Sequence, residues 1–113
     1  MDAIDVHQRH ADAVRGAVIG EAAETELHLR TGAMASGAAT APKTAIPEPY
    51  DTLARQIAEA AHRVTDGQVA AVRAATGSDK AAFEIILSAC IGAGLARWDA
   101  AVQAIEEAGD ASA

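Results

Sequence analysis

Four groups of residues in this 113-residue chain could do chemistry: the single cysteine Cys90, the carboxylate Glu84, His62 beside Arg63, and the spaced pair His7 and His10. A cysteine reacts or binds metal as the thiolate, which needs a cation or a helix N-terminus close by. No Lys, Arg or His lies one helical turn from Cys90. It therefore reads as a structural thiol on a buried helix face. Glu84 is the one carboxylate within the apolar start of the last predicted helix. Burial without a partner would raise its pKa toward the range where a carboxylate exchanges protons near neutrality. His62 and Arg63, at the end of an earlier helix, are the nearest groups in sequence to meet it. Each also has a plainer role. Glu84 can face water at a rim or pair with an arginine, and His62 can offset the negative end of its helix.

His7 and His10 are three residues apart and can share a helix face. Two imidazoles hold a metal only with a further ligand. Asp5, Glu24 and His28 are available, but His28 follows Glu24 at the four-residue spacing of an ordinary surface pair. Neither a metal site nor a cofactor is expected. The chain has no glycine-rich phosphate loop, no Gly-x-Ser-x-Gly and no His-Glu-x-x-His. Gly92-Ala93-Gly94 falls inside a helix, without the strand and third glycine of a dinucleotide fingerprint, so nucleotide binding is excluded.

The elements that must position these groups are helices. Ile4, His7, Ala11, Val14 and Val18 recur at steps of three and four and predict a helix over Ala3 to Ile19. A weaker pattern (Ala23, Leu27, Arg30, Met34) predicts a second from Glu21 to Met34. Ala35 to Ile46 is small and contains Gly37 and Pro42, the composition of a linker. Pro47 and Pro49 open a helix running to Arg63, with Tyr50, Leu53, Ile57, Ala61 and Val64 as its apolar stripe. Asp51, Arg55, Glu59 and Arg63 are expected to stack opposite charges along its outer face. Thr65 and Gln68 have the spacing of a capping box, starting a helix to about Ala75. Gly77 ends the connection, and Ser78 and Asp79 start the last helix, expected to reach Ala108. Phe83, Leu87, Cys90, Gly94, Trp98, Ala101 and Ile105 form its expected buried stripe. Ile86, Ile91 and Leu95 make its middle apolar on other sides too, so Ile85 to Ala96 reads as a central rod. Gly92 and Gly94 weaken a helix by about 1 kcal/mol each relative to alanine, which close approach of another helix would explain.

The expected fold is all-α, four or five helices around a long central C-terminal helix. One domain is expected, divided into an N-terminal hairpin (1–34), a linker (35–46) and a helical core (47–113). Half the residues are apolar, but only Phe83, Tyr50 and Trp98 are aromatic, and much of the rest is alanine. A core of alanine buries little surface per residue, so association with further copies is expected to supplement it. A net charge of −7 disfavours nucleic acid and anionic membrane surfaces. One cysteine excludes an intramolecular disulfide framework. The opening MDAIDVHQRH is too polar for a signal peptide. The uncharged run from Ile85 to Ala96 is shorter than the roughly 20 residues that span a bilayer. A soluble, cytoplasmic protein is expected.

From Ile46 to Glu107 the chain resembles the carboxymuconolactone decarboxylase / alkylhydroperoxidase D superfamily. The resemblance rests on Pro47 and Pro49, Val64-Thr65-Asp66, Ser78-Asp79, Phe83-Glu84, Gly92-Ala93-Gly94 and Arg97, in that order and spacing. Thr76 stands where that pattern has a glycine. The resemblance implies an all-helical fold and homo-oligomers. The peroxidase branch works through Cys-x-x-Cys with a nearby His and Glu; here there is no Cys-x-x-Cys, and no His follows Cys90. The leading expectation is thus a degenerate or accessory member that binds a partner protein or a small molecule. Its oligomer interface is expected at Gly92, Gly94 and Trp98. The rival is an enzyme with non-thiol acid–base chemistry carried by Glu84 and His62, which requires Glu84 and a His or Arg on one water-accessible pocket. A single-thiol peroxidase would require an exposed Cys90.

Overall fold

The computed structural model describes residues 3–20, 22–40 and 46–112. Five α-helices follow one another: α1 (Ala3–Val18), α2 (Leu27–Gly37), α3 (Tyr50–Ala60), α4 (Asp66–Thr76) and α5 (Asp79–Ser112). One turn of 3-10 helix, Ala61–Arg63, follows α3. No strand occurs among the described residues. The fold is all-α with a long C-terminal helix.

Local signals set several boundaries. The Thr65 hydroxyl accepts the Gln68 amide at 3.1 Å, and the Gln68 side chain accepts the Thr65 amide at 2.9 Å, completing the capping box of α4. Gly77 ends α4 with φ 85°, a left-handed conformation that costs glycine nothing. The Ser78 hydroxyl accepts the Ala81 amide at 3.1 Å and opens α5. The third helix starts at Tyr50 rather than Pro47, because the Pro47 carbonyl accepts the Tyr50 and Asp51 amides as a preceding turn.

The second helix differs most from expectation. It begins at Leu27, six residues later than the periodicity suggests, and continues to Gly37 through the first part of the expected linker. Residues 22–26 are held instead as a connection by side chains from α2 and α5. The remainder of the expected linker includes 41–45, which lies outside the described residues.

Helix α5 is the axis of the fold, and α2, α3, α4 and α1 all pack on it. One core cluster joins Leu53, Ala54 and Ile57 of α3 and Val72 of α4 to Ala82, Ala89 and Ala93 of α5. A second joins Ala33 of α2 and Ile46 to Ile85. Tyr50 packs against both. At the α2–α5 crossing the two backbones approach closely. A Cβ on Gly92 would overlap the Met34 carbonyl, and a Cβ on Gly37 would overlap the Ala89 backbone. Close approach at Gly92 is thus realised by α2 of the same chain, whereas a Cβ on Gly94 would have nothing within 4 Å.

The face of α5 that packs is the opposite of the one expected. Ala81, Ala82, Ile85, Ser88, Ala89, Gly92 and Ala93 are buried. Phe83 is 62% exposed, Leu87 42% and Ile105 55%, and Cys90, Gly94 and Ala101 are exposed with them. Periodicity selected the stripe with the larger side chains, but the small-residue face lets four helices come near enough to share the rod. The 32 residues from Asp79 to Asp110 are also long and apolar enough to cross a membrane by length and composition, with 28% of the most apolar window buried in the protein. Counting only the uncharged run misses this, because scattered charges leave the average apolar.

Candidate functional site

Glu84 is half-buried on α5 and grips the connection between α1 and α2. Its Oε2 accepts the Glu24 amide at 2.9 Å, and its Oε1 accepts the Thr25 amide at 2.9 Å and the Thr25 hydroxyl at 2.7 Å. Desolvation pushes its pKa up, but the Glu24 amide, the two Thr25 donors and the nearby Lys80 charge outweigh it and hold the carboxyl below its ordinary value. The condition for a raised pKa, burial without a partner, is not met: both oxygens of this carboxylate are engaged.

Arg30 grips the same connection from α2. It is 6% exposed. Its Nε donates to the Val18 carbonyl at 2.7 Å, Nη2 to the Gly20 carbonyl at 2.8 Å, and Nη1 to the Thr25 carbonyl. A planar cation thus covers the C-terminal carbonyls of α1, where the helix dipole favours positive charge. Arg30 and Glu84 line one small cavity of about 110 Å³ with Val18, Ser88 and Ile91. An arginine and the glutamate do share a pocket, as an acid–base site would require, but their polar atoms are spent on backbone groups and on Thr25.

His62 does not join them. It is exposed in the 3-10 turn, which makes no contact with α5. The neighbouring end of α3 lies beside Arg97, whose Nη2 donates to the Ala58 carbonyl at 3.3 Å. Arg97 is about 20 Å along α5 from Glu84, at about 1.5 Å per residue. The expected Glu84–His62 pair is therefore not assembled. At the other end of the chain, His7 stands edge-on to Trp98 with ring centroids 6.1 Å apart. Among the described residues no three His, Cys, Asp or Glu side chains gather to hold a metal.

The remaining expected positions divide. Trp98 is half-buried against α1, and its Nε1 donates to the Gln8 Oε1 at 3.0 Å, so this ring is largely occupied within the chain. Gly92 is likewise covered by α2, and only Gly94 of the three expected interface residues is open. Cys90 is exposed rather than buried, because it lies on the outward face of α5. Apolar packing around the thiol still desolvates it and raises its pKa.

Two charged positions carry more than the sequence suggested. Arg30 had a signal, since it is the one charge on the α2 stripe. Asp51 had none and was expected on the outer face. It is 5% exposed, accepts the Ser36 hydroxyl at 2.9 Å, and pairs with the Arg55 Nε at 2.9 Å. Ser36 is itself fully buried, so this bond ties α3 to α2 inside the core. Asp51→Ala is expected to destabilise the fold by about 2 kcal/mol, since it leaves a buried hydroxyl without its acceptor. A urea melt of the variant checks this, and an unchanged midpoint would contradict it.

The lowered pKa of Glu84 has a consequence for acid stability. A carboxyl with a depressed folded pKa contributes stability above its unfolded value, near 4.3, and that contribution is lost as pH falls through the folded value. Glu84→Gln is expected to lower stability at neutral pH and to flatten its decline below about pH 4.5. Urea midpoints at pH 7 and pH 3.5 test this; equal losses at both pH values would count against it.

A concavity lies beside the α2–α5 crossing. It holds about 500 Å³ between Met34, Ala35 and Ala38 of α2 and Gly92, Leu95 and Ala96 of α5. An ion pair at 3.2 Å between Arg15 of α1 and Asp99 of α5 stands at its edge. Comparison of the chain with protein-family models, with curated proteins and with solved structures finds no match.

Proposed function

We propose that the chain is a non-catalytic helical module, soluble and cytoplasmic, that works as a homo-oligomer and binds a partner protein or small molecule. On this reading it is a degenerate relative of the carboxymuconolactone decarboxylase / alkylhydroperoxidase D superfamily, keeping a helical scaffold without the dithiol. The observation that carries it is the open apolar stripe of α5, with Phe83, Leu87 and Ile105 exposed on the side away from the core. Large apolar side chains left exposed one turn apart on a helix face, as Phe83 and Leu87 are, mark an interaction site. The groove beside Met34 and Leu95 falls within the roughly 300–1,000 Å³ typical of small-ligand sites and offers a place for a ligand.

The rival, acid–base chemistry by Glu84 and His62, has Arg30 beside Glu84 in one cavity in its favour; against it, both carboxylate oxygens accept hydrogen bonds and the imidazole lies elsewhere. Single-thiol peroxidase chemistry has an exposed Cys90 in its favour and a raised thiol pKa against it. Light scattering across a concentration series tests the main reading. An oligomer at micromolar concentration is expected, and Phe83→Glu should shift it toward monomer. A wild-type chain that stays monomeric throughout would end the reading.

A further inference from the structure

We infer that α1 is a hinged arm, which lifts off α5 while the rest of the fold stays intact. The two ends of α1 are held in different ways. At the base, Val18 is buried, and the Arg30 guanidinium holds the Val18 and Gly20 carbonyls. Toward the free end the buried side chain is Ala11, which removes little surface from water. The larger Val6 and Val14 are exposed. Among the described residues, neither core cluster includes a residue of α1. The arm therefore docks on a core that is complete without it.

The contacts that latch the free end are polar and open to water. Gln8 accepts from the Trp98 Nε1, His7 stands edge-on to the same ring, and Arg15 pairs with Asp99. Both side chains of that ion pair are more than a third exposed, so salt screens it and water can replace either partner. Arg15 also pairs with Asp12 inside α1 at 3.1 Å, so its charge keeps a partner when the arm lifts. Gly16 separates Arg15 from the anchored base. It has no side chain to stiffen the helix, and a Cβ there would meet nothing within 4 Å, so no packing demands a glycine at this point. The pivot falls between Gly16 and the carbonyls held by Arg30. Lifting the arm bares Trp98 and withdraws Arg15 from the edge of the groove beside Met34 and Leu95, so the arm gates one side of that groove. The movement belongs to the single chain, whatever the groove holds and however copies associate.

Thiol labelling of the full chain reads this motion. On a Cys90→Ser background, Ala11→Cys lies under the arm, Val18→Cys at its base and Val72→Cys in the core, all buried in the docked state. With a thiol reagent in native buffer, Ala11→Cys should label at least about a hundredfold faster than Val72→Cys, and Val18→Cys should stay close to the core rate. Adding Gln8→Ala with Asp99→Asn should raise the Ala11→Cys rate at least about fivefold, and sodium chloride should raise it less in that variant than in its parent. Hydrogen exchange of the unmodified chain is the independent readout, needed because the added sulfur at position 11 could itself prop the arm open. Amides of residues 7–15 should exchange at least about a hundredfold faster, relative to their unfolded rates, than those of residues 85–93, through an opening that depends little on urea. Exchange at one shared level in both segments, with one shared urea dependence, would mean that α1 leaves only when the whole chain unfolds, and overturns the arm. Val18→Cys labelling as fast as Ala11→Cys overturns the pivot, and an Ala11→Cys rate indifferent to the paired substitutions overturns the latch.

Discussion

Gly92→Ala should cost the fold about 3 kcal/mol or more, a large share of the roughly 5–15 kcal/mol that holds a domain of this size. The reason is local. A methyl group at this position has to enter the space held by the Met34 carbonyl. A backbone atom in a packed helix cannot rotate away as a side chain end can, so α2 has to separate from α5. The facing contact at Gly37 against Ala89 then opens as well. Two residues further along the same helix, Gly94→Ala should have the opposite sign. Its Cβ meets nothing, and alanine favours a helix over glycine by about 1 kcal/mol. Urea melts at low protein concentration, where association contributes little, compare the two. If both variants melt like wild type, the close crossing is not how α2 is held.

The contrast between these glycines also shows how far the sequence could be read. The helical class, the capping box at Thr65 and Gln68, the stop at Gly77 and the start at Ser78 were all legible, because each depends on neighbours a few residues apart. The packed face of α5 was not. With Ile85, Ile86, Ile91 and Leu95 spread around the helix, periodicity had two apolar faces to choose from and favoured the larger side chains. Which face packs depended on Gly37, far earlier in the chain, meeting Ala89. Asp51 was misjudged for a similar reason. Its four-residue spacing to Arg55 is real, and the pair forms at 2.9 Å, but the same carboxylate also meets Ser36 across the core. Glu84 was identified as the carboxylate of interest, yet the donors that fix its protonation, Glu24 and Thr25, sit in a stretch whose periodicity resembled a helix. In each case the missing information was a partner distant in sequence.

Loss of Arg30, whose guanidinium holds three backbone carbonyls, should be nearly as severe as the change at Gly92. Arg30→Met keeps the apolar stem but leaves the carbonyls of Val18, Gly20 and Thr25 without their donor. At about 1 kcal/mol for each of these buried or part-buried acceptors, the low end for an unsatisfied group, the variant should lose about 3 kcal/mol. Arg30→Lys should recover only part of this, because one ammonium cannot reach three carbonyls in the planar geometry of a guanidinium. Thr25 is shared, since its carbonyl accepts from Arg30 while its amide and hydroxyl donate to Glu84. The two charges should therefore act as one clamp: once either is gone, residues 22–26 loosen and the other has less to hold. A double-mutant cycle of Arg30→Met with Glu84→Gln should show a coupling of about 1 kcal/mol, with the combined loss smaller than additive. Hydrogen exchange adds a local readout, because the Glu24 and Thr25 amides should lose protection in either single variant while those of α4 keep theirs. Strict additivity, with those two amides unchanged, would mean that Arg30 and Glu84 stabilise the fold independently and that the connection between α1 and α2 is held by something else.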